Sequence, residues 1–343
     1  MKVARLLEPR RFEIREEPVP EPGPGEVLIQ SQAVGICASD IHYYAEGAIG
    51  DARVTAPFIL GHEPMGTILG VGAEVSKNLV GKRVAIEPGI PCFECELCLK
   101  GDQNLCPNVR FFGSPPIEGA FRERFTHPAG LVEEVPDDFS PSDGALLEPL
   151  GVAIHAVDLS KAKVASSATV VGCGTIGLCT VAVLKAAGVT RILAVDPLGY
   201  RTQIAQKVGA TETFIGSAED ALSEMLKATG GRGTDLVFEA AGYASAHAPS
   251  MEMACIGGKV VIIGISSEDR VSYKESAARR KGLTIYMARR SRRALRRGID
   301  LIAAGRIDLS PLVTHRFPLD RIQEAFETVS GYKDGAVKAV IEI

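Results

Sequence analysis

From residue 1 to about 150 the apolar positions come in short runs, "GEVLIQSQAVGIC", "PFILGHEPMGTILGVG" and "GKRVAIEPG", each broken by Pro or Gly. Short runs with turn residues at their ends predict strands joined by tight turns, so this part reads as a β-barrel domain. From about residue 151 the texture changes: "ATVVGCGTIG", "RILAVD", "DLVFEAAG" and "KVVIIGI" are strand candidates separated by segments with helical spacing of apolar residues. That alternation predicts a parallel, doubly wound sheet over 151–290. After about 290 the alternation stops. The mixed tail, 291–343, closes on another short strand and is expected to rejoin the first domain. The chain shows neither an internal repeat nor a low-complexity linker, which predicts a close interface with a cleft between the two domains.

Composition narrows the class. At 343 residues, with 46% hydrophobic and 23% charged, the chain can bury two cores. A net charge of −4 offers no basic footprint for nucleic acid, so a small soluble partner is expected. The opening "MKVARLLEPRRFEIREEP" is charged throughout and has no apolar signal region, which predicts a cytoplasmic location. The uncharged run from Val164 to Leu184 contains Ser166, Ser167 and three glycines, and divides into a strand-like and a helix-like half. It reads as a buried α/β segment and not as a membrane span.

Four of the eight cysteines lie together in "PCFECELCLKGDQNLC". In a reducing compartment clustered thiols bind metal or do redox chemistry more often than they form disulfides. Cys92, Cys95, Cys98 and Cys106 supply four thiolates on a short loop at about 88–110, which suits a closed, tetrahedral structural Zn²⁺. An iron–sulfur cluster also takes four thiolates, but the spacing matches neither ferredoxin pattern.

In "ATVVGCGTIGL", Gly172, Gly174 and Gly177 follow a strand candidate and open a helical run. The first permits a tight turn, the second lets backbone approach a pyrophosphate, and the third lets helix pack on strand. Asp196 closes "RILAVD", where a carboxylate accepts from the ribose hydroxyls of NAD and repels the 2′-phosphate of NADP. Arg201 keeps NADP open, because a guanidinium can pair with that phosphate.

Chemistry must come from the first domain. "GICASDIHYY" offers Cys37, Ser39, Asp40 and His42; "GHEPMG" offers His62 and Glu63; "LLEPLG" adds Glu148. A thiolate, an imidazole and a carboxylate can hold Zn²⁺ with one position open to substrate. Taken alone, Cys37 and His62 have no metal-type spacing and read better as an unrelated buried thiol and a satisfied histidine.

"GHEPMGTILGVGAEV" resembles the zinc-site signature of the medium-chain alcohol dehydrogenase superfamily, with Gly61, His62, Glu63, Gly66, Gly72 and Val75 in place. The four-cysteine lobe and the nucleotide fingerprint also stand where that family has them. The resemblance implies a GroES-like β-barrel catalytic domain (1–150) plus a Rossmann doubly wound domain (151–290). "IHYYAEGAIGD", "FFGSPPIEGAF", "ALLEPLGVAIHA" and "PLVTHRFPL" resemble the polyol dehydrogenases acting on sorbitol and xylitol. This implies an NAD-dependent enzyme with two Zn²⁺ per chain, oxidising a polyol's secondary hydroxyl to the ketose. A homo-oligomer, tetramer or dimer, is expected.

By the same resemblance a catalytic zinc sits on Cys37 and His62, with Glu63 as third protein ligand and Glu148 ligating or orienting the bound water. A proton relay runs through Ser39, a cofactor ribose hydroxyl and His42, and Asp40 buttresses the metal ligands. Tyr43 and Glu148 touch the polyol, while Ile176, Asp196, Arg201 and the turn Ile263, Gly264, Ile265 line NAD.

"MARRSRRALRR" departs from the pattern. Arg290 aligns with an arginine bordering substrate and nicotinamide, but Ser291 stands where sorbitol-type enzymes carry tyrosine. The run Arg289, Arg290, Arg292, Arg293, Arg296, Arg297 reads either as a solvated helix face balanced by Asp300 and Asp308 or as a grip on cofactor or substrate phosphate. Other vicinal diols, polyol phosphates and threonine-like amino alcohols stay open as substrates, as does a non-catalytic NAD-binding module.

Overall fold

A computed structural model describes residues 1–343 apart from 56 and 269. The chain divides into two units, Met1–Glu148 with Leu295–Ile299 and Val313–Ile343, and Pro149–Ala294 with Asp300–Leu312.

In the first unit the central strand is β1, Glu26–Gly35, followed by helix α1, Ala38–Glu46, and by β2, Glu63–Val71; β3, Arg83–Ile86; β4, Arg124–Pro128; and β5, Val132–Glu134. The early part of β1 alternates, with Val27, Ile29 and Ser31 buried and Gln30 exposed, as a strand with one wet face should. Its last three residues, Ala33 to Gly35, are all buried. Helix α1 buries Asp40, Tyr43 and Tyr44, three and four residues apart on one face, and stops at Gly47, whose φ of 72° is the left-handed closing turn. Tyr44 anchors the helix: its ring lies 5.1 Å from Phe326 and 5.7 Å from Phe12. Phe121, Phe125 and Phe326 are fully buried in the same core. Each contributes on the order of 1.5–3 kcal/mol.

The second unit opens its sheet with β6, Ser167–Val171, continues through helix α2, Thr175–Ala186, and β7, Arg191–Asp196, and adds β8, Glu212–Ile215; β9, Thr234–Glu239; β10, Ala254–Ile262; and β11, Thr284–Met287. The order is β8-β7-β6-β9-β10-β11 with every pair parallel. Such strands are covered on both faces, which is why Val170, Leu193, Val195, Val237, Phe238, Val260 and Val261 are buried without alternation. The uncharged run at 164–184 resolves into β6 and α2, and no helix among the described residues is long and apolar enough to cross a membrane.

The chain then supplies the first unit with β12, Val313–Pro318, and β13, Lys338–Glu342. The first unit's sheet runs β5-β3-β2-β1-β13-β12, with β4 paired to the early part of β1 and β13 to its end. The return begins later than expected. Residues 300–312, and 291–294 before them, belong to the second unit. Ala294, Ile307, Leu309 and Leu312 are buried there, and the turn Ser310–Leu312 packs on the helix Gly199–Val208. The lost β/α rhythm marked the end of the parallel sheet and not the end of the domain.

The arginine run also differs from a single solvated helix face. Arg296 and Arg297 lie on the helix Leu295–Ala303, whereas 289–293 are irregular, with left-handed backbone at Arg290 (φ 57°) and Arg293 (φ 48°). Arg289, Arg292, Arg293, Arg296 and Arg297 are exposed, and Arg290 is half-buried. Arg296 pairs with Glu133 at 3.0 Å, while the expected counter-charge Asp308 accepts from its neighbour Ser310 N instead.

Candidate active site

Among the described residues, two groups of side chains that could hold a metal form in the first unit. In the lobe, Cys92 Sγ lies 3.9 Å from Cys98 Sγ and 3.5 Å from Cys106 Sγ, and Cys95 Sγ lies 3.9 Å from Cys106 Sγ. Four sulfurs at about 2.3 Å from a tetrahedral zinc stand about 3.8 Å apart, so the spacing fits that ion. The backbone holds the thiolates as well. Cys95 N donates to Cys92 Sγ at 3.4 Å and Cys92 N to Cys106 Sγ at 3.4 Å. Main-chain donors at Glu94 and Cys95 bring the Cys92 thiol down to about 6.

The second cluster is Cys37, His62 and Glu63, whose ligand atoms all lie within 4.8 Å of one another. Cys37 precedes α1, and His62 and Glu63 stand at the start of β2, so non-local strand and helix packing brings them together. A thiolate, an imidazole and a carboxylate suit a zinc with one position left for substrate. A zinc held by Cys37, His62 and Glu63 would supply Lewis-acid chemistry to a substrate hydroxyl.

Asp40 ties this cluster to its scaffold. One carboxylate oxygen accepts from Cys37 N at 3.0 Å; the other accepts from Gly61 N at 3.3 Å and lies 3.6 Å from His62 Nδ1. Burial opposes a proton on His62, but the negative charges of Asp40 and Cys37 outweigh it and hold the imidazole well above its ordinary range. The segment after the lobe closes in tightly. A Cβ on Gly113 would stand 2.7 Å from the Gly61 carbonyl oxygen and 3.0 Å from His62 Cβ, and the Phe111 ring is 5.4 Å from the His62 ring.

Glu148 stands outside the three-ligand cluster, buried, with its carboxyl pushed up to about 8 by burial and by the charges of Glu63 and Glu87, against the pull of His62 and Lys338. Such a group can hold or release a proton near neutral pH. Tyr43 and Ser114 share a hydrogen bond of 2.6 Å, which ties α1 to the segment packed on His62. Ser39 and His42 lie on successive turns of α1, and His42 Nδ1 is 3.6 Å from Glu46.

Sequence reasoning missed two residues here. Lys338, buried on β13, forms an ion pair with Glu63 and donates to the Ile36 carbonyl at 2.9 Å. Burial works against its charge, but Glu63 and Cys37 hold its pKa above the ordinary lysine value. The signal was present: Lys338 is the single charge within the otherwise apolar run "AVKAVI". Ser114, the partner of Tyr43, carried no comparable signal.

The nucleotide fingerprint occupies the second unit. Gly172 turns with φ of 92°, and a Cβ there would stand 2.6 Å from Ala241 N. A Cβ on Gly177 would overlap the Gly172 carbonyl, whereas one on Gly174 would meet nothing within 4 Å. That leaves the backbone at Gly174 open to a dinucleotide at the start of α2, where the helix end favours its phosphates. Asp196 is buried; it accepts from Cys173 N at 2.8 Å and Leu198 N at 2.9 Å and lies 3.9 Å from Arg201 Nη1. Ile176 is half-buried early in α2. Ile263 N and Gly264 N both donate to the Glu239 carbonyl, which fixes that turn, and Ile265 is exposed. Arg290 belongs to this unit too.

Residues 23–137 match the family model described as alcohol dehydrogenase GroES-like domain, and 175–304 match zinc-binding dehydrogenase. A sorbitol dehydrogenase of Bacillus subtilis is 38% identical over 341 residues, covering 99% of this chain and 97% of the relative. An L-threonine 3-dehydrogenase of the same organism is 37% identical over 326 residues, covering 94% and 93%. Among solved structures, a protein described as a zinc-binding dehydrogenase of Sinorhizobium meliloti, bound to NADP, superposes with a TM-score of 0.91 at 32% identity, covering 100% of this chain and 99% of that one. With a GroES-like domain, a parallel dinucleotide-type sheet and these relatives along its full length, the chain belongs to the zinc-dependent medium-chain alcohol dehydrogenase family.

Proposed function

We propose that this protein is an NAD-dependent polyol dehydrogenase that oxidises a secondary hydroxyl to the ketone and runs reversibly. The observation that carries the reading is the ligand set Cys37, His62 and Glu63, with Glu148 buried in the same unit. The extended likeness to a sorbitol dehydrogenase supports it. In this reading Tyr43, steadied by Ser114, and Glu148 meet the polyol, and Ser39 and His42 carry the proton outward. Asp196 favours NAD by repelling a 2′-phosphate. The enzyme is a homo-oligomer, tetramer or dimer, acting in the cytoplasm.

A second substrate reading, a polyol phosphate, is favoured by the exposed arginines between Arg289 and Arg297. A single panel decides between them. Zinc-loaded protein is given free polyols of four to six carbons and all configurations, their phosphates, and threonine-like amino alcohols, each with NAD and with NADP, and products are identified. Turnover highest for a free polyol with NAD is the expected result. Preference for phosphates moves the assignment to the second reading, and preference for amino alcohols or for NADP overturns the first.

A further inference from the structure

Three neighbouring strands bring Lys338 to the metal cluster. Gly35 on β1 is paired with Glu63 on one side and with Val340 on the other, and Lys338 lies two residues before Val340, on the same face of β13. A Cβ on Gly35 would overlap the Glu63 carboxylate and stand 2.8 Å from Lys338 Cε, so the missing side chain is what makes room for the pair. Lys338 and Glu63 are each 1% exposed. The ammonium is on Glu63 Oε2 and donates to the Ile36 carbonyl. It is thus pinned by strand and main chain, immediately behind one of three candidate zinc ligands.

From this juxtaposition we propose that Lys338 is a positioning residue of the zinc centre, a resident counter-ion that holds one oxygen of Glu63 and competes with the metal for that carboxylate. This rests on the zinc reading of Cys37, His62 and Glu63. A carboxylate oxygen engaged by an ammonium is a weaker donor to metal, so Lys338 acts on the ion through its hold on Glu63. Lys338 therefore keeps Glu63 a loosely held ligand, and it neutralises the anionic donor set. A lysine that only cements the fold makes the opposite prediction, because its loss would disorder the ligands and weaken the metal.

The test is zinc affinity, read by chelator competition on the full-length protein. The zinc that Cys37→Ser lacks identifies the site; if Cys37→Ser loses none, the zinc reading itself has failed. Given that zinc, Lys338→Met should hold it tighter by on the order of tenfold or more, while Lys338→Arg stays within about threefold of wild type. Lys338→Gln, which keeps a donor for the Ile36 carbonyl, should follow Lys338→Met. In a Glu63→Gln background the gain from Lys338→Met should fall below about threefold, since the contested carboxylate is gone. Unchanged or weaker zinc binding in both neutral variants overturns the proposal. An equal gain in the Glu63→Gln background also overturns it, since the lysine would then act on the metal directly. Failure of both neutral variants to fold would mark the pair as a fold element and count against it as well.

Discussion

His127 is a buried titratable group whose behaviour owes nothing to either ligand cluster. Its Nε2–H donates to the Glu87 carbonyl at 3.0 Å, its ring stands edge-on to Phe112 at 5.3 Å, and Nδ1 has no hydrogen-bond partner among the described residues. Burial lowers its pKa from 6.5 to about 4, against the small upward pull of the Glu87 carbonyl. The folded state therefore binds the proton less readily than the unfolded chain. The stability this gives is complete above the unfolded value and is lost as pH falls toward 4, by up to about 3 kcal/mol. Urea unfolding at about pH 7 and about pH 4.5 should show His127→Gln losing less stability than wild type over that interval. Metal binding depends on pH as well, so the difference between the two proteins is the quantity to read. An identical loss in both would contradict the assignment.

At the level of elements, the turn from β6 into α2 shows how one glycine differs from the next. A side chain at Gly177 would strike the Gly172 carbonyl, whereas one at Gly174 would enter open space. Gly177→Ala should push α2 away from β6 and cost about 1–3 kcal/mol of stability, with weaker dinucleotide binding as a consequence. Gly174→Ala should leave the melting temperature nearly unchanged and weaken binding alone, because its methyl group occupies the approach of the pyrophosphate. Calorimetry with and without NADH separates the two cases, and equal melting temperatures for both variants would contradict the packing argument.

Considered as a whole molecule, the protein keeps both groups of candidate metal ligands in one unit and its glycine fingerprint in the other. Loss of a catalytic-site ligand should therefore remove one zinc and abolish turnover without abolishing NADH binding. Metal analysis should return two zincs per chain for wild type, one for Cys37→Ser and one for Cys95→Ser. Cys37→Ser should still bind NADH within about threefold of wild type. Cys95→Ser should lose thermal stability, because the lobe's three remaining sulfurs would no longer share a closed metal site. Two retained zincs in Cys95→Ser would refute the reading of the lobe.

Features whose parts are close in sequence were legible without a structure. The four thiols of the lobe lie within fifteen residues, and the three glycines with their flanking strand and helix within about twenty, so local spacing alone specifies their geometry. The parallel sheet was legible for a related reason, since strands buried on both faces write continuous apolar runs into the chain. The grouping of Cys37 with His62 and Glu63 was legible only through resemblance, because no local spacing joins Cys37 to His62. Tertiary structure alone decided the rest. Lys338 and Glu63 are separated by 275 residues and meet only because β13 pairs with β1 in one particular register. Tyr43 and Ser114 are 71 residues apart and meet across a turn pressed against His62. Strand register and close backbone approach are set by the packing of many residues at once, and a single charge or hydroxyl in the sequence cannot announce which partner that packing will bring to it.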